Sequence, residues 1–189
     1  EKAKAINMPN DNINRAIKKG SGADGSTNFE TLNYEGYGPA GVAIIVEALT
    51  DNKNRTASNV KTIFDRNGGN LGVSGCVSYM FERKGEIIIE KTSDTLEEEI
   101  MEIALEAGMD DMETLDDSFY ITSSTENFDS VCEALRNAGY SLLEADIQFV
   151  PSIEVDSIAS EEEEKLRKLI DLLENDDDVQ KVHHNYGNL

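Results

Sequence analysis

The spacing of hydrophobic positions in the first half of the chain predicts two strands followed by a helix. Residues 34–37 read as a short strand, a glycine–proline turn follows, and residues 42–49 are an apolar run typical of a strand buried on both faces. Apolar side chains then recur at helical spacing over residues 54–66, and Gly68 is placed to end that helix. This pattern is typical of a mixed α+β domain.

Two further strands are predicted after this helix. The stretch "CVSYMFER" (76–83) alternates apolar and polar side chains, Gly85 is interpreted as a turn, and "EIIIE" (86–90) forms the next strand. The first part of the domain therefore reads β-β-α-β-β.

The second half of the chain predicts an insertion. Counted from Ile87, the patterns follow in the order β-α-β-β-α-β, which is the ferredoxin-like order. A last helix and a strand near residues 179–185 then supply the α-β pair that the first part lacks. We predict a ferredoxin-like α+β domain formed by residues 21–91 plus 153–189, with a second, acidic, ferredoxin-like α+β domain inserted at residues 92–152.

Residues 1–20 form a separate segment. Pro9 suits the first turn of a helix, and Lys18 and Lys19 lie near its end, where the helix dipole favours cations. The stretch "GSGADGSTN" (20–28) is interpreted as a flexible linker. Because the sequence opens without a cap or turn, we expect that a segment N-terminal to residues 1–20 is missing.

Composition indicates a soluble protein of the cytoplasm. The chain has 189 residues, of which 39% are hydrophobic, so it can bury a substantial core. Its longest apolar run, residues 41–48, is interrupted by Glu47 and is too short to cross a bilayer, and no signal peptide is recognisable. Cys76 and Cys132 lie far apart and are interpreted as reduced thiols packed in the core.

Charge separates the two ends of the chain. Residues 1–20 carry five bases and two acids, residues 21–91 carry seven bases and nine acids, and residues 92–189 carry five bases and 27 acids, which accounts for the net charge of −21. A polyanion such as DNA would be repelled by the second half and could be held only by the first.

The patterns that could support catalysis or ligand binding are weak. "GSGADGST" lacks the lysine of a phosphate-binding loop and does not follow a strand. "NGGNLGVSG" (67–75) can be a nest that turns backbone N–H groups toward an anion, but a helix cap and connecting loop are the favoured interpretation. The adjacent His183 and His184 point to opposite faces of a strand, and we expect them to be exposed. Acidic runs such as "ENDDDV" are interpreted as solvated helix ends.

The candidate nucleic-acid contacts are basic or amide residues of the first half of the chain. They are Arg15, Lys18, Lys19, Lys53, Asn54, Arg55, Arg83 and Lys84. Scattered surface cations explain Lys53, Arg55, Arg83 and Lys84 about as well as a binding face does, whereas the basic segment 1–20 favours contact with phosphate. Arg55 in particular is predicted either to contact an anionic partner or to form an ion pair with Asp51 or Glu47.

Three long stretches resemble the YebC family of probable transcriptional regulators and translational activators. They are "NMPNDNINRAIKKG" (7–20), "YEGYGPAGVAIIVEALTDNKNRT" (34–56) and "NGGNLGVSGCVSYMFERKG" (67–85), and the ending "VQKVHHNY" (179–186) is also similar. The resemblance implies three domains: a basic N-terminal helical bundle, of which only the final helix would be present here, a central α+β domain, and an α+β domain inserted into it. It implies no cofactor and suggests recognition as the role of the "LTDNKNRT" stretch (49–56).

Three functional hypotheses follow. The first is a non-enzymatic regulator of gene expression, a DNA-binding transcriptional regulatory protein, with no membrane or small-molecule partner. The second is a translational activator that acts on the ribosome through RNA contacts. The third, an enzyme that uses the carboxylate-rich half, is disfavoured because no histidine or paired nucleophile lies near the 49–56 stretch.

Overall fold

The computed structural model describes residues 7–20, 29–92 and 95–189. Contacts divide the chain into two compact units, a first unit formed by Glu1–Ser78 with Glu154–Leu189 and a second unit formed by Tyr79–Ile153. The predicted linker lies outside the described residues except for Gly20. None of the helices described is long and apolar enough to cross a membrane.

The first unit contains an antiparallel sheet of four strands. Its elements are helix α1 (Asn10–Gly20), β1 (Glu30–Tyr37), β2 (Ala43–Thr50), α2 (Lys53–Arg66), β3 (Asn70–Leu71), α5 (Ser160–Glu174) and β8 (Val179–His184). The strand order is β3-β1-β2-β8. Strand β8 pairs with β2, with Ile45 opposite His183, so the prediction that the last strand returns to the sheet of the buried strand is confirmed.

Strand β2 forms the centre of this unit because its side chains are apolar on both faces. Residues 42–46 are each at most 1% exposed, as the absence of alternation predicts. Helices α2 and α5 contribute Val60, Phe64, Leu166 and Leu169 to the same core. The two helices thereby fix the position of the β2–α2 junction.

The second unit has the ferredoxin-like order. It consists of β4 (Phe81–Glu90), α3 (Glu97–Ala107), β5 (Met109–Thr114), β6 (Ser118–Ser124), α4 (Phe128–Asn137) and β7 (Leu142–Pro151). The sheet order is β5-β6-β4-β7 with antiparallel pairing throughout. Ile100 and Ala104 of α3 pack with Val131 and Leu135 of α4 in the core. The α+β class is as predicted, and the structure adds that each of the two sheets has four strands. The three-domain division with its stated boundaries remains a prediction.

The hairpin predicted at Gly85 is wrong. Phe81–Glu90 is one continuous strand, and Gly85 lies within it, opposite Ser123 of β6 and Ile147 of β7. A Cβ atom at Gly85 would lie 2.7 Å from the Ser123 hydroxyl and would collide with the ring of Phe128. The glycine therefore permits close packing and does not form a turn, so residues 81–90 belong to the second sheet alone.

Candidate nucleic-acid interface

The junction between β2 and α2, residues 50–55, is the candidate site that sequence reasoning emphasised. Strand β2 ends at Thr50, whose hydroxyl accepts a hydrogen bond of 2.9 Å from the backbone N–H of Asn52. The Asn52 side chain accepts one of 3.1 Å from the N–H of Arg55 and so caps α2. Lys53 and Asn54 project from the first turn and are exposed.

Arg55 is bound by carboxylates of its own chain. Its guanidinium forms a bidentate pair with Asp178, with distances of 2.8 Å from Nη2 to Oδ1 and 3.2 Å from Nε to Oδ2. A third contact of 3.0 Å joins Nη2 to Asp51. The Arg55 side chain is nevertheless 48% exposed, whereas that of Asp178 is 13% exposed. Arg55 thus forms the ion pair with Asp51 that was one of the two predicted alternatives. It also forms a bidentate pair with Asp178, which the sequence did not predict.

Asp178 is the centre of this junction. Its Oδ2 also accepts a hydrogen bond of 2.7 Å from the Thr56 hydroxyl. Burial pushes the pKa of Asp178 upward, but hydrogen bonds from Thr56 and Arg55 outweigh burial and hold the pKa below its usual range. The interpretation of the "ENDDDV" run as wholly solvated is therefore wrong at Asp178, which β8 brings next to the end of β2.

The other candidate residues lie elsewhere. Arg15 and Lys18 are exposed on α1; Lys19 belongs to the same helix, but its side chain lies outside the described structure. Arg83 and Lys84 lie on β4 of the second unit. The structure thus brings Lys53, Asn54 and Arg55 together, and Arg83 with Lys84, on elements of different units.

The two cations of β4 already have neighbours within the second unit. The Arg83 guanidinium lies 5.3 Å from the ring centroid of Phe149. The Lys84 ammonium lies 3.7 Å from a carboxylate oxygen of Glu82 and 3.9 Å from one of Asp110. At such partly exposed sites these contacts are weak, so they do not bar either cation from a further partner.

Sequence reasoning missed Glu35, which organises the glycine-rich loop after α2. Its carboxylate is 7% exposed and accepts hydrogen bonds from the N–H groups of Gly75, Val77 and Ser78 at 2.8, 3.0 and 2.9 Å. Burial raises the pKa of Glu35, but the three backbone hydrogen bonds prevail and hold the pKa below its ordinary value. The loop does turn N–H groups toward an anion, as a nest would, but the anion is a side chain of the protein itself.

The expectation that the two histidines are exposed is also wrong. His183 is 7% exposed, and its Nε2 lies 2.8 Å from Oε1 of Glu47 across the β2–β8 pair. His184 is partly buried, and burial lowers its pKa. Within the described ranges no cluster of three or more histidine, cysteine, aspartate or glutamate side chains has an arrangement that could hold a metal ion.

The chain is similar to known proteins along nearly all of its length. A family model described as the second and third domain of TACO1/YebC matches residues 29–186. A probable transcriptional regulatory protein of Clostridioides difficile strain 630 is 53% identical over 188 residues, which are 98% of this chain and 78% of the relative. One of Geobacillus thermodenitrificans is 52% identical over 186 residues, covering 98% of this chain and 75% of the relative.

A solved structure has the same fold. The crystal structure of a conserved hypothetical protein, Aq1575 of Aquifex aeolicus, is 44% identical in sequence and superposes with a TM-score of 0.87. The match covers 97% of this chain and 75% of the Aquifex chain.

Proposed function

The chain belongs to the TACO1/YebC family, and from that membership we propose that it is a non-enzymatic, cytoplasmic regulator of gene expression that binds DNA through α1. The relatives named as probable transcriptional regulatory proteins support the regulatory role. No cofactor or small-molecule substrate enters this proposal, because recognition of a nucleic acid requires only charged and polar side chains.

The observation that carries the proposal is the contrast in charge between α1 and the rest of the two units. Arg15 and Lys18 extend from an exposed helix whose sequence carries a single acid, Asp11. In the rest of the described structure acids outnumber bases, and carboxylates lie within ion-pair distance of Arg55, Lys61, Lys84, Lys165 and Arg167. A phosphate backbone approaching either unit meets an excess of carboxylates, so α1 is the favoured point of contact.

RNA is the second candidate ligand. Cations on one helix neutralise phosphates of DNA and RNA alike, and a strongly acidic second unit is compatible with the basic proteins that accompany RNA in the ribosome. This is the translational-activator hypothesis. The two hypotheses differ in which nucleic acid is bound, and a binding measurement can decide between them.

The test compares a DNA duplex and an RNA hairpin of equal charge as ligands of the full chain. Fluorescence anisotropy at several salt concentrations gives the dissociation constant and its salt dependence. In the test variant Lys18→Glu is combined with Lys19→Glu. In the matched control Lys165→Glu is combined with Lys168→Glu, which makes the same change in net charge at two exposed positions of α5.

If α1 binds DNA, the α1 variant weakens duplex binding by about tenfold or more, and the α5 control weakens it far less. Preference for the RNA hairpin, abolished by the same α1 variant, would instead support the translational hypothesis. Equal effects of the two variants would show that only overall charge matters, and the role of α1 would have to be abandoned.

A further inference from the structure

The outer face of α3 carries apolar side chains that the core does not use. Leu96 is 60% exposed, Met101 43% and Leu105 63%. Other side chains of this helix pack in the core of the second unit, among them Ile100 and Ala104, which are fully buried. Met101 and Leu105 are four residues apart and therefore lie one turn above the other on the same face.

Glutamates surround these apolar side chains. A surface depression of about 700 Å³ is lined by Leu96, Met101 and Glu97, Glu98, Glu99 and Glu102. Glu97 accepts a hydrogen bond from Thr114. In the described structure, however, no lysine or arginine lies within ion-pair distance of Glu98, Glu102 or Glu106. The α3 face, defined as Leu96, Glu98, Met101, Glu102 and Leu105, thus combines exposed apolar side chains with a rim of glutamates.

Helix α4 provides an internal comparison, because it covers the same sheet in the same unit. It buries Val131, Cys132 and Leu135. Its exposed side chains within the described structure are polar or charged, among them Asp129 and Glu133. Single exposed apolar residues are ordinary, but three on one short segment with a charged rim are typical of an interaction surface. A helix can therefore pack on this sheet without exposing apolar side chains, so packing does not explain the exposed apolar side chains of α3.

We propose that the α3 face is a docking site for a basic, amphipathic segment of a partner protein. Aliphatic side chains of that segment pack on Leu96, Met101 and Leu105, and its lysines or arginines face Glu98 and Glu102. This is recognition of a helix or extended segment on an apolar surface with electrostatic complementarity at the rim. It does not depend on the nucleic-acid function proposed above.

Charge argues against the other occupants of this face. The second unit, residues 79–153, contains 19 acids and four bases, so phosphate backbones and anionic membranes are repelled. A second copy docked symmetrically would place the glutamate rims against each other. A cationic partner alone gains from both the apolar middle and the acidic rim.

The test titrates the full chain with a synthetic 16-residue amphipathic helix made of leucine and lysine. A second peptide of the same composition has its leucines spread around the helix, and a third has glutamate in place of lysine. Chemical shifts of backbone amides locate the binding site, and anisotropy gives the affinity. One variant combines Met101→Gln with Leu105→Gln, and another combines Glu98→Gln with Glu102→Gln. The control combines Asp129→Asn with Glu133→Gln on α4, which removes the same charge.

The proposal requires the amphipathic peptide to shift the amides of residues 96–106 and to bind better than the other two peptides. The apolar variant then weakens binding about tenfold, the glutamate variant weakens it severalfold and lowers its salt dependence, and the α4 control changes it less than about twofold.

Three results would overturn the proposal. They are equal affinity for the two lysine peptides, no binding tighter than about 1 mM, and self-association of the chain that the apolar variant abolishes. The last result would assign the face to a second copy.

Discussion

The β2–α2 junction and the α3 face use charge in opposite ways. At the junction Arg55 is held by Asp178 and Asp51, and Asp178 also binds Thr56. On α3 three glutamates face solvent without a cation partner in the described structure. Both regions are rich in charged residues. The charges of the junction are paired with each other, whereas the glutamates of α3 are accessible to a partner. A charged sequence motif therefore does not by itself identify a binding surface; whether its charges are already paired within the fold has to be known.

The largest expected effect is at the junction, with Asp178→Ala. The change removes the partner of Arg55 and of the Thr56 hydroxyl where the carboxylate is mostly buried. We expect a loss of about 3 kcal/mol in the free energy of unfolding, measured by urea denaturation. Asp177→Ala, at the exposed neighbouring position, is the control and should change it by less than about 0.5 kcal/mol. Equal losses would show that the junction does not depend on this pair.

Glu35→Gln should have the next largest effect. A glutamine keeps one acceptor oxygen where the carboxylate serves three backbone N–H groups, so at least one of these three donors loses its partner. The expected loss is about 2 kcal/mol. Hydrogen exchange at Gly75, Val77 and Ser78 should accelerate more than exchange in β2. Uniform acceleration throughout the first unit would contradict a local role.

The difference in stability between the wild type and Glu35→Gln should depend on pH. The pKa of Glu35 is lower in the folded chain than in the unfolded chain, because backbone hydrogen bonds favour the carboxylate. The stabilisation is therefore complete above the unfolded-state pKa of about 4 and is lost as pH falls through the lower folded-state value. Comparing unfolding free energies of the two proteins at each pH cancels the effect of the other acids. A difference that is the same at neutral pH and at the lowest pH measured would argue against titration of Glu35.

These contacts mark the limit of what the sequence could predict. The insertion and the pairing of β8 with β2 follow from local periodicity, because each helix and strand shows its own apolar face. The pairing of Arg55 with Asp178 joins residues 123 positions apart and depends on the β2–β8 register, which periodicity does not specify. Gly85 was misread for a related reason, since a glycine that marks a turn and one that permits close packing look alike in sequence.

Arg55→Ala should destabilise the chain less than Asp178→Ala does. Arg55 is half exposed, so its removal leaves Asp178 with the Thr56 hydrogen bond and with access to water. We expect a loss in the free energy of unfolding clearly smaller than that of Asp178→Ala, measured by urea denaturation. Binding of the DNA duplex or RNA hairpin should be measured on the same protein. Reduced binding without loss of stability would restore Arg55 as a contact with nucleic acid, and loss of stability with normal binding would establish the ion pair as its role.

The smallest expected effect is on α3, and its smallness is informative. Leu105→Gln replaces a side chain that is 63% exposed with one of similar helix propensity, so the free energy of unfolding should change by less than about 0.5 kcal/mol. The matched core change, Ile100→Val on the same helix, removes one buried methylene and should cost about 1 kcal/mol. If Leu105→Gln costs as much as Ile100→Val, Leu105 contributes to folding and its exposure is no sign of a docking surface. If it costs nothing, the second unit carries an apolar side chain that folding does not need, which is the result that the docking proposal requires.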